Sequence, residues 1–477
     1  MVMLEIKKIF IFIINIMSNI TYGPFIGYVF RNRNKWSCRI ILETLTKDKV
    51  PLMMKGEYSD IEYKKFRLGK AYMHRFIIHG LNEGTHYFFK FDDEVCTLIT
   101  PSIGTEINIY TLSCDGGSGN YSYYPKNAQE FYNLFEDHDE NLWVRLYNDI
   151  SEEKRFTLTL HLGDNVYCDA IVEYLSKKPH LSKDEILSVC QHYYRKVFNN
   201  PYKKKTLRTN SHLMMHGDHD YGSSDIKISE IIIYNLRKMV KYYQHLLYED
   251  PIHENKDFDI YIDDYTPLGI IMPDSRTNRK YYNEETKYPI LSEEQMSRIE
   301  LFLKNSKLTS IAFCLSTPLT LIAGLLINYS YDGWTASPSR INQRNEIINL
   351  LFKSDKKVAV ISADLHVGQM QYLSDNKKVI PFLISSGISS YPPTGLQLIV
   401  YEFMRFFQRI YGPEGLISSA ITHIYDFNYC KFTISEDWEF KGTQDFIIKT
   451  YLQNDTDLTI NYSQPISRLD TLLSFLY

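Results

Sequence analysis

The sequence predicts an all-β domain followed by a layered α/β domain, and three observations carry that expectation. From about residue 20 to residue 100 short apolar strands alternate with polar turns, and no long helical pattern appears. Beyond Pro101 short, fully apolar runs alternate with stretches of helical periodicity. Acidic residues and histidines then fall immediately after those apolar runs, where an α/β fold gathers functional groups.

In the first part, Trp36 to Leu42 and Tyr72 to Ile78 read as strands. The segment Gly80-Leu81-Asn82-Glu83-Gly84-Thr85-His86-Tyr87-Phe88-Phe89 resembles the turn and strand of fibronectin-III-like sandwiches, where Leu, Gly-Thr and Tyr form a tyrosine corner. Pro101 and Ser102 mark a boundary. The expected organisation is an extension over 1–19, a fibronectin-III/Ig-like sandwich over 20–101 and an α/β domain over 102–477.

In the second part, Ile107–Leu112, Phe156–Leu162, His212–Met215, Ser310–Leu315 and Val358–Ile361 suit buried strands. Ser182 caps an expected helix to about Val197, and Ser292-Glu293-Glu294-Gln295 is a capping box that opens another. Ile228–Tyr248 repeats apolar residues at helical spacing. Leu396–Ile410 carries Leu398, Ile399, Tyr401, Phe403, Phe406 and Phe407, and at that length it reads as a core helix rather than a membrane-facing one.

A length of 477 residues accommodates two or three domains, and 44 % hydrophobic with 23 % charged content is that of a globular protein rather than a disordered or fibrous one. The net charge of −4 gives no general attraction to nucleic acid or acidic membranes. Lys203–Lys204–Lys205 beside Tyr202 reads as three solvated loop lysines. The seven cysteines show no CxxC pair and no regular spacing, which argues against a disulfide framework and a zinc ribbon. Lys7 and Lys8 precede an apolar run from Ile9 to Ile14 that is too short to span a bilayer. Two readings of it stand: a signal peptide, which implies secretion, or an upstream artefact before a start at Met17, which implies a cytoplasmic protein.

Four strand ends carry groups of the metal-ligand type. Ile109–Leu112 is followed by Ser113-Cys114-Asp115-Gly116-Gly117, and Thr159–Leu162 by Gly163-Asp164-Asn165-Val166-Tyr167. His212–Met215 leads to His216-Gly217-Asp218-His219-Asp220, and Val358–Ile361 to Ser362-Ala363-Asp364-Leu365-His366. Taken singly, each has an ordinary structural explanation: a buried thiol, a turn aspartate or a satisfied histidine, as for His161 and His216. Taken in order, they supply what metal-assisted phosphoester hydrolysis requires: hard oxygen ligands, a carboxylate able to bridge, and a place for an activated water.

As an ordered set these motifs resemble PhoD-like alkaline phosphatases, within the calcineurin-like metallophosphoesterases. Gly163-Asp164-x-x-Tyr167 is similar to the GDxxY element, Ser113-Cys114 to the Ser-Cys of that group, and Asp364-x-His366 to its GDxH. Asp218-His219-Asp220 is similar to the end of its Asp-Asp-His-Glu/Asp element, and Asp274-Ser275-Arg276 with Arg279 to Asp-Thr-Arg-x-x-Arg. Ser316-Thr317-Pro318-Leu319, Asp332-Gly333-Trp334 with Arg340, and Ser385-Ser386-Gly387 extend the match. Two positions depart from it: Gly217 replaces an Asp, and Ala363 replaces a Gly.

The resemblance implies a layered metallophosphoesterase β-sandwich flanked by helices, hydrolysing phosphate esters at a dinuclear metal site. Asp164 would bridge, with Cys114, Tyr167 and His366 around the first ion and Asp218 and Asp364 around the second. It implies Fe3+ with Ca2+, and the ligand types also accommodate Mn2+ or Zn2+. His219 would stabilise the transition state or protonate the leaving oxygen. Arg276 reads either as a phosphate clamp or as a structural partner of Asp274. Two alternatives stand beside a general phosphatase: a dedicated phosphodiesterase acting on lipid headgroups or polymers, and an inactive binding scaffold, which only Gly217 favours. Because Asp218 and His219 are adjacent, their side chains are expected to diverge, one to metal and one to phosphate.

Overall fold

The computed structural model describes residues 19–102, 107–115, 141–222, 228–251, 257–277, 288–319, 333–334, 337–366, 368–375, 377–388, 417–424, 428–434, 446–452 and 458–462. The extension 1–18, the Leu396–Ile410 helix, Arg279 and Asp332 lie outside the described residues.

The first seven strands are β1 (Ile20–Asn32), β2 (Lys35–Thr44), β3 (Leu52–Lys55), β4 (Asp60–Leu68), β5 (Ala71–Leu81), β6 (His86–Phe91) and β7 (Glu94–Ile99). They form two antiparallel sheets, β1-β2-β5-β4 and β3-β6-β7. The two expected strands fall within β2 and β5. In β6 the period of two is explicit: Tyr87, Phe89 and Phe91 are buried, while His86, Phe88 and Lys90 face outward. The Tyr87 hydroxyl accepts the backbone N–H of Asn82 at 2.7 Å, which pins the turn before β6.

The chain then continues through β8 (Ile107–Leu112), α1 (Asn141–Glu152), β9 (Thr157–Leu162), α2 (Asp169–Ser176), α3 (Lys183–Phe198), α4 (Pro201–Leu207) and β10 (Ser211–Met215). Next come α5 (Glu230–Tyr243), β11 (Ile260–Ile262), β12 (Leu268–Met272), α6 (Glu293–Leu303), β13 (Ser310–Cys314), α7 (Pro338–Lys353), β14 (Lys357–Ser362), β15 (Gly368–Ser374) and β16 (Val379–Ile384). The last strands are β17 (Ile417–Ile424), β18 (Asn428–Ile434), β19 (Phe446–Leu452) and β20 (Leu458–Tyr462).

These strands build two mixed sheets, β10-β9-β8-β18-β19-β20 and β11-β12-β13-β14-β16-β15-β17. β8, β9 and β10 run parallel, as do β12, β13, β14 and β16. Alternate residues explain how both faces are covered. Ile107 and Ile109 of β8 join Leu158, Ile270, Ala312 and Ala359 in a core between the sheets, whereas Tyr110 and Leu112 pack on Leu142, Trp143 and Leu146 of α1. On the far side of the second sheet Ile311, Phe313, Val358 and Val360 meet α6 and α7 through Ile299, Ile347 and Leu351. A strand buried on both faces has no polar side to show, so these strands read as unbroken apolar runs. Ser182 and Ser292 both close capping boxes, with Glu185 and Gln295, each contributing about 1 kcal/mol to helix stability.

The lysine triplet departs from its expected solvated loop. Asn200 caps a short helix with Pro201 in its first turn, and this turns Lys203 inward. Lys203 is 1 % exposed and pairs with Asp115, with Nζ also 3.0 Å from the carbonyl of Asn165. Lys204 pairs with Glu94 at 3.0 Å. All seven cysteines are buried and none is in a disulfide. No described helix is long and apolar enough to cross a membrane.

Candidate metal centre

The residues singled out in the sequence leave their strands by unusually sharp turns. Cys114 (φ 55°), Asp164 (52°), Asp364 (85°) and His366 (54°) all take left-handed backbone conformations, with Gly163 (116°) and Gly387 (93°) beside them. Such non-glycine conformations cost on the order of 1–3 kcal/mol each and persist where surrounding contacts enforce them. Here backbone bonds lace the strand ends together: Asp115 N–H to Asp164 O (2.9 Å), Cys114 N–H to Gly163 O (3.2 Å) and Ile388 N–H to Ser113 O (3.1 Å).

The turns bring side chains from both sheets to one place. Cys114 Sγ lies 3.6 Å from Asp164 Oδ2 and 3.0 Å from Ser386 Oγ. The Tyr167 hydroxyl lies 3.4 Å from the same Asp164 oxygen and 2.9 Å from His366 Nε2. Ligand atoms of Asp164, Asp218 and His219 also all lie within 4.8 Å of one another, forming a group that could bind a metal ion. Asp218 and His219 therefore converge, contrary to the divergence expected of neighbours, because both stand at the start of a 3-10 turn (His219–Tyr221) rather than in an extended segment. Asp364 joins through Arg276, whose Nη2 is 3.1 Å from Asp218 Oδ1 and 3.7 Å from Asp364 Oδ2.

Buried, mutually close carboxylates dominate the electrostatics of the site. Burial raises the Asp164 carboxyl well above its ordinary range, and Asp218 and Asp364 add to this. Burial likewise pushes up the Cys114 thiol, with help from Asp164 and Asp364. Burial works against the His219 imidazolium, but Asp218, Asp164 and Asp169 outweigh it and hold its pKa well above the usual histidine value. Crowded buried carboxylates resist ionisation, and a bound cation inverts that preference.

His219 has a partner that sequence reasoning missed. Its Nδ1 is 2.7 Å from Asp169 Oδ2, which leaves Nε2 as the ring nitrogen available to Asp164 and Asp218. The Tyr167 ring stands 4.2 Å from the imidazole, centroid to centroid. Asp169 opens α2, where a carboxylate is expected for the helix dipole alone, so the sequence carried no sign of the pairing.

Asp220 and Gly217 hold the frame. Asp220 is buried and accepts backbone N–H bonds from Gly217 (2.8 Å), Val166 (3.0 Å) and Asn165 (3.2 Å), and an amide bond from Gln244 (2.7 Å), tying the β9 loop to the β10 loop. A Cβ on Gly217 would fall on Asp164 Oδ1 and sit 2.6 Å from the Asp164 backbone nitrogen. The departure at Gly217 thus has a steric cause: any side chain there displaces Asp164. Gly217→Ala is expected to cost on the order of 1–3 kcal/mol of stability and to weaken metal binding. Thermal unfolding with and without added metal checks this, and an unchanged melting temperature and metal affinity contradict it.

The two remaining histidines are satisfied structurally. His161 Nε2 meets His212 Nδ1 at 3.2 Å, and His216 lies between His245 (3.0 Å) and Asp274 (3.3 Å). Asp274 Oδ1 also accepts the backbone N–H groups of Arg276 and Thr277, both at 2.9 Å, and this turn sends the Arg276 side chain back over the strand ends.

The architecture matches a solved structure described as "Structure of PhoD", with a TM-score of 0.59 at 14 % identity, covering 92 % of this chain and 88 % of that one. The chain has the PhoD fold. No family model matches the sequence, and no curated protein matches it.

The residues present fit a first metal ion of the kind the resemblance implies. Asp164 Oδ1 is buried with no hydrogen-bond partner among the described residues, and the Cys114 thiol and Tyr167 phenol lie beside Asp164 Oδ2, with the His366 imidazole on that phenol. The second implied position does not fit in the same way, because a guanidinium stands against Asp218 and Asp364.

Proposed function

We propose that this protein hydrolyses phosphate esters at a metal centre held by Asp164, as a PhoD-like phosphatase or phosphodiesterase. The observation that carries the reading is one buried carboxylate, Asp164, with the Cys114 thiol and the Tyr167 phenol beside it and His366 on that phenol, from strand ends of two sheets. Carboxylate, thiolate, phenolate and imidazole together suit a ferric ion, with Mn2+ or Zn2+ as chemically acceptable substitutes. When bound, such an ion neutralises phosphate charge and makes water a better nucleophile near neutral pH.

The chain's own groups do the rest. Asp169 holds His219 through Nδ1 and sets its direction, so that the imidazolium can donate its Nε2 proton to the ester oxygen as it leaves. Arg276 adds fixed positive charge beside Asp218, where a phosphate oxygen gains from it. Asp220 and the buried Lys203–Asp115 pair keep the loops after β8, β9 and β10 in register, which preserves these directions. The steric reason for Gly217 supports the enzyme reading over an inactive scaffold. Residues 20–101 are then a fibronectin-III-like accessory domain, a reading supported by the two antiparallel sheets and the Tyr87–Asn82 bond.

The test is phosphate or phenol release from a panel of mono- and diesters by metal-loaded protein across pH. Turnover on either class is expected, and the stronger class separates phosphatase from dedicated diesterase. Failure on both classes with full metal content rejects the reading.

A further inference from the structure

We infer that Arg276 takes the place of the second metal ion, so that the chain binds one metal ion, centred on Asp164. The inference rests on the metal-centre reading above and corrects its stoichiometry. A single Arg276 nitrogen lies 3.1 Å from Asp218 Oδ1 and 3.7 Å from Asp364 Oδ2, the two carboxylates that the resemblance gives to the second ion. A hard divalent ion bridging those oxygens would have to come within roughly 2.0–2.6 Å of each, in space that the guanidinium already fills.

Arg276 is also poorly placed to yield. Its side chain is 3 % exposed, and a guanidinium stays charged at any working pH. Its backbone is held by the Asp274 turn, and its neighbour Ser275 is bonded to Ser316 at 2.7 Å, so the segment is anchored on both sides. Expelling it would leave a cavity lined by carboxylates until an ion arrived, and moving a buried charge away from its partners is costly. The guanidinium supplies one positive charge to Asp218 and Asp364 without any exchange with solution. Cys114 and Tyr167 lie beside Asp164 Oδ2, with Ser386 on the thiol and His366 on the phenol, and these groups remain available to the single ion.

The experiment counts metal rather than turnover. Full-length protein is equilibrated with iron and calcium, dialysed, and analysed for both elements, alongside Arg276→Gln and Arg276→Lys. The expected result is one metal equivalent for wild type, two for Arg276→Gln, and one for the charge-preserving Arg276→Lys. Two equivalents in wild type overturn the inference, as does a single equivalent in folded Arg276→Gln. If Arg276→Gln does not fold, the wild-type and Arg276→Lys counts decide, and one equivalent in each sustains the assignment. No metal in any of the three chains rejects the metal centre itself, a failure distinct from a count of two.

Discussion

Asp164→Ala is expected to abolish metal binding and turnover together. Asp164 lies at the meeting point of both halves of the site: its Oδ2 faces Cys114 and Tyr167, and its carboxylate is grouped with Asp218 and His219. No other carboxylate among the described residues has that position. Removing it also takes out a carboxyl whose ionisation is opposed by burial and by Asp218 and Asp364, so the folded apoprotein should be no less stable than wild-type apoprotein. Elemental analysis and a phosphoester assay on the folded variant check this. Full metal content in Asp164→Ala contradicts the assignment even if activity is low.

His219→Ala is expected to reduce kcat by about 10²–10⁴-fold while leaving metal content near wild type, the loss typical of a general acid or oxyanion donor. The prediction follows from the ring's attachment: Nδ1 is committed to Asp169, which leaves Nε2 to face the substrate. Esters with very good leaving groups should lose less, because they need little protonation. His366→Ala is the control and should lose metal as well as rate. If His219→Ala releases the metal, the histidine is a ligand and the catalytic role is wrong. Undiminished turnover on an ester with a poor leaving group is equally damaging.

The sheets were legible because their strands are buried on both faces. Ile107–Leu112, His212–Met215 and Val358–Ile361 could be read as strands from apolar runs alone, and β8, β10 and β14 follow them within a residue or so at each end. The capping serines were equally legible, since Ser182 and Ser292 bond to residues three positions on. The site was legible as a set of strand-end motifs, and the fold brings Cys114, Asp164, Tyr167, Asp218, His219, Arg276, Asp364 and His366 together.

Pairings across long sequence separations were not legible. Lys203 looked like part of a solvated run because Asp115 is far away in the chain, and only the packing of α4 brings them together. The Asp169–His219 contact and the reach of Arg276 to Asp218 are of the same kind. Gly217 looked like a missing ligand because a sequence does not show that Asp164 occupies the space its side chain would need.

Turnover of one protein preparation before metal removal, after it, and after metal is restored tests the central claim most directly. A chelator strong enough to strip iron is applied, removed by dialysis, and followed by reloading with iron and calcium, with phosphate release measured at each stage. The account predicts hydrolysis in the loaded protein, its loss on stripping, and its recovery on reloading in proportion to bound metal. Hydrolysis that survives complete stripping, or none in fully loaded protein, contradicts it.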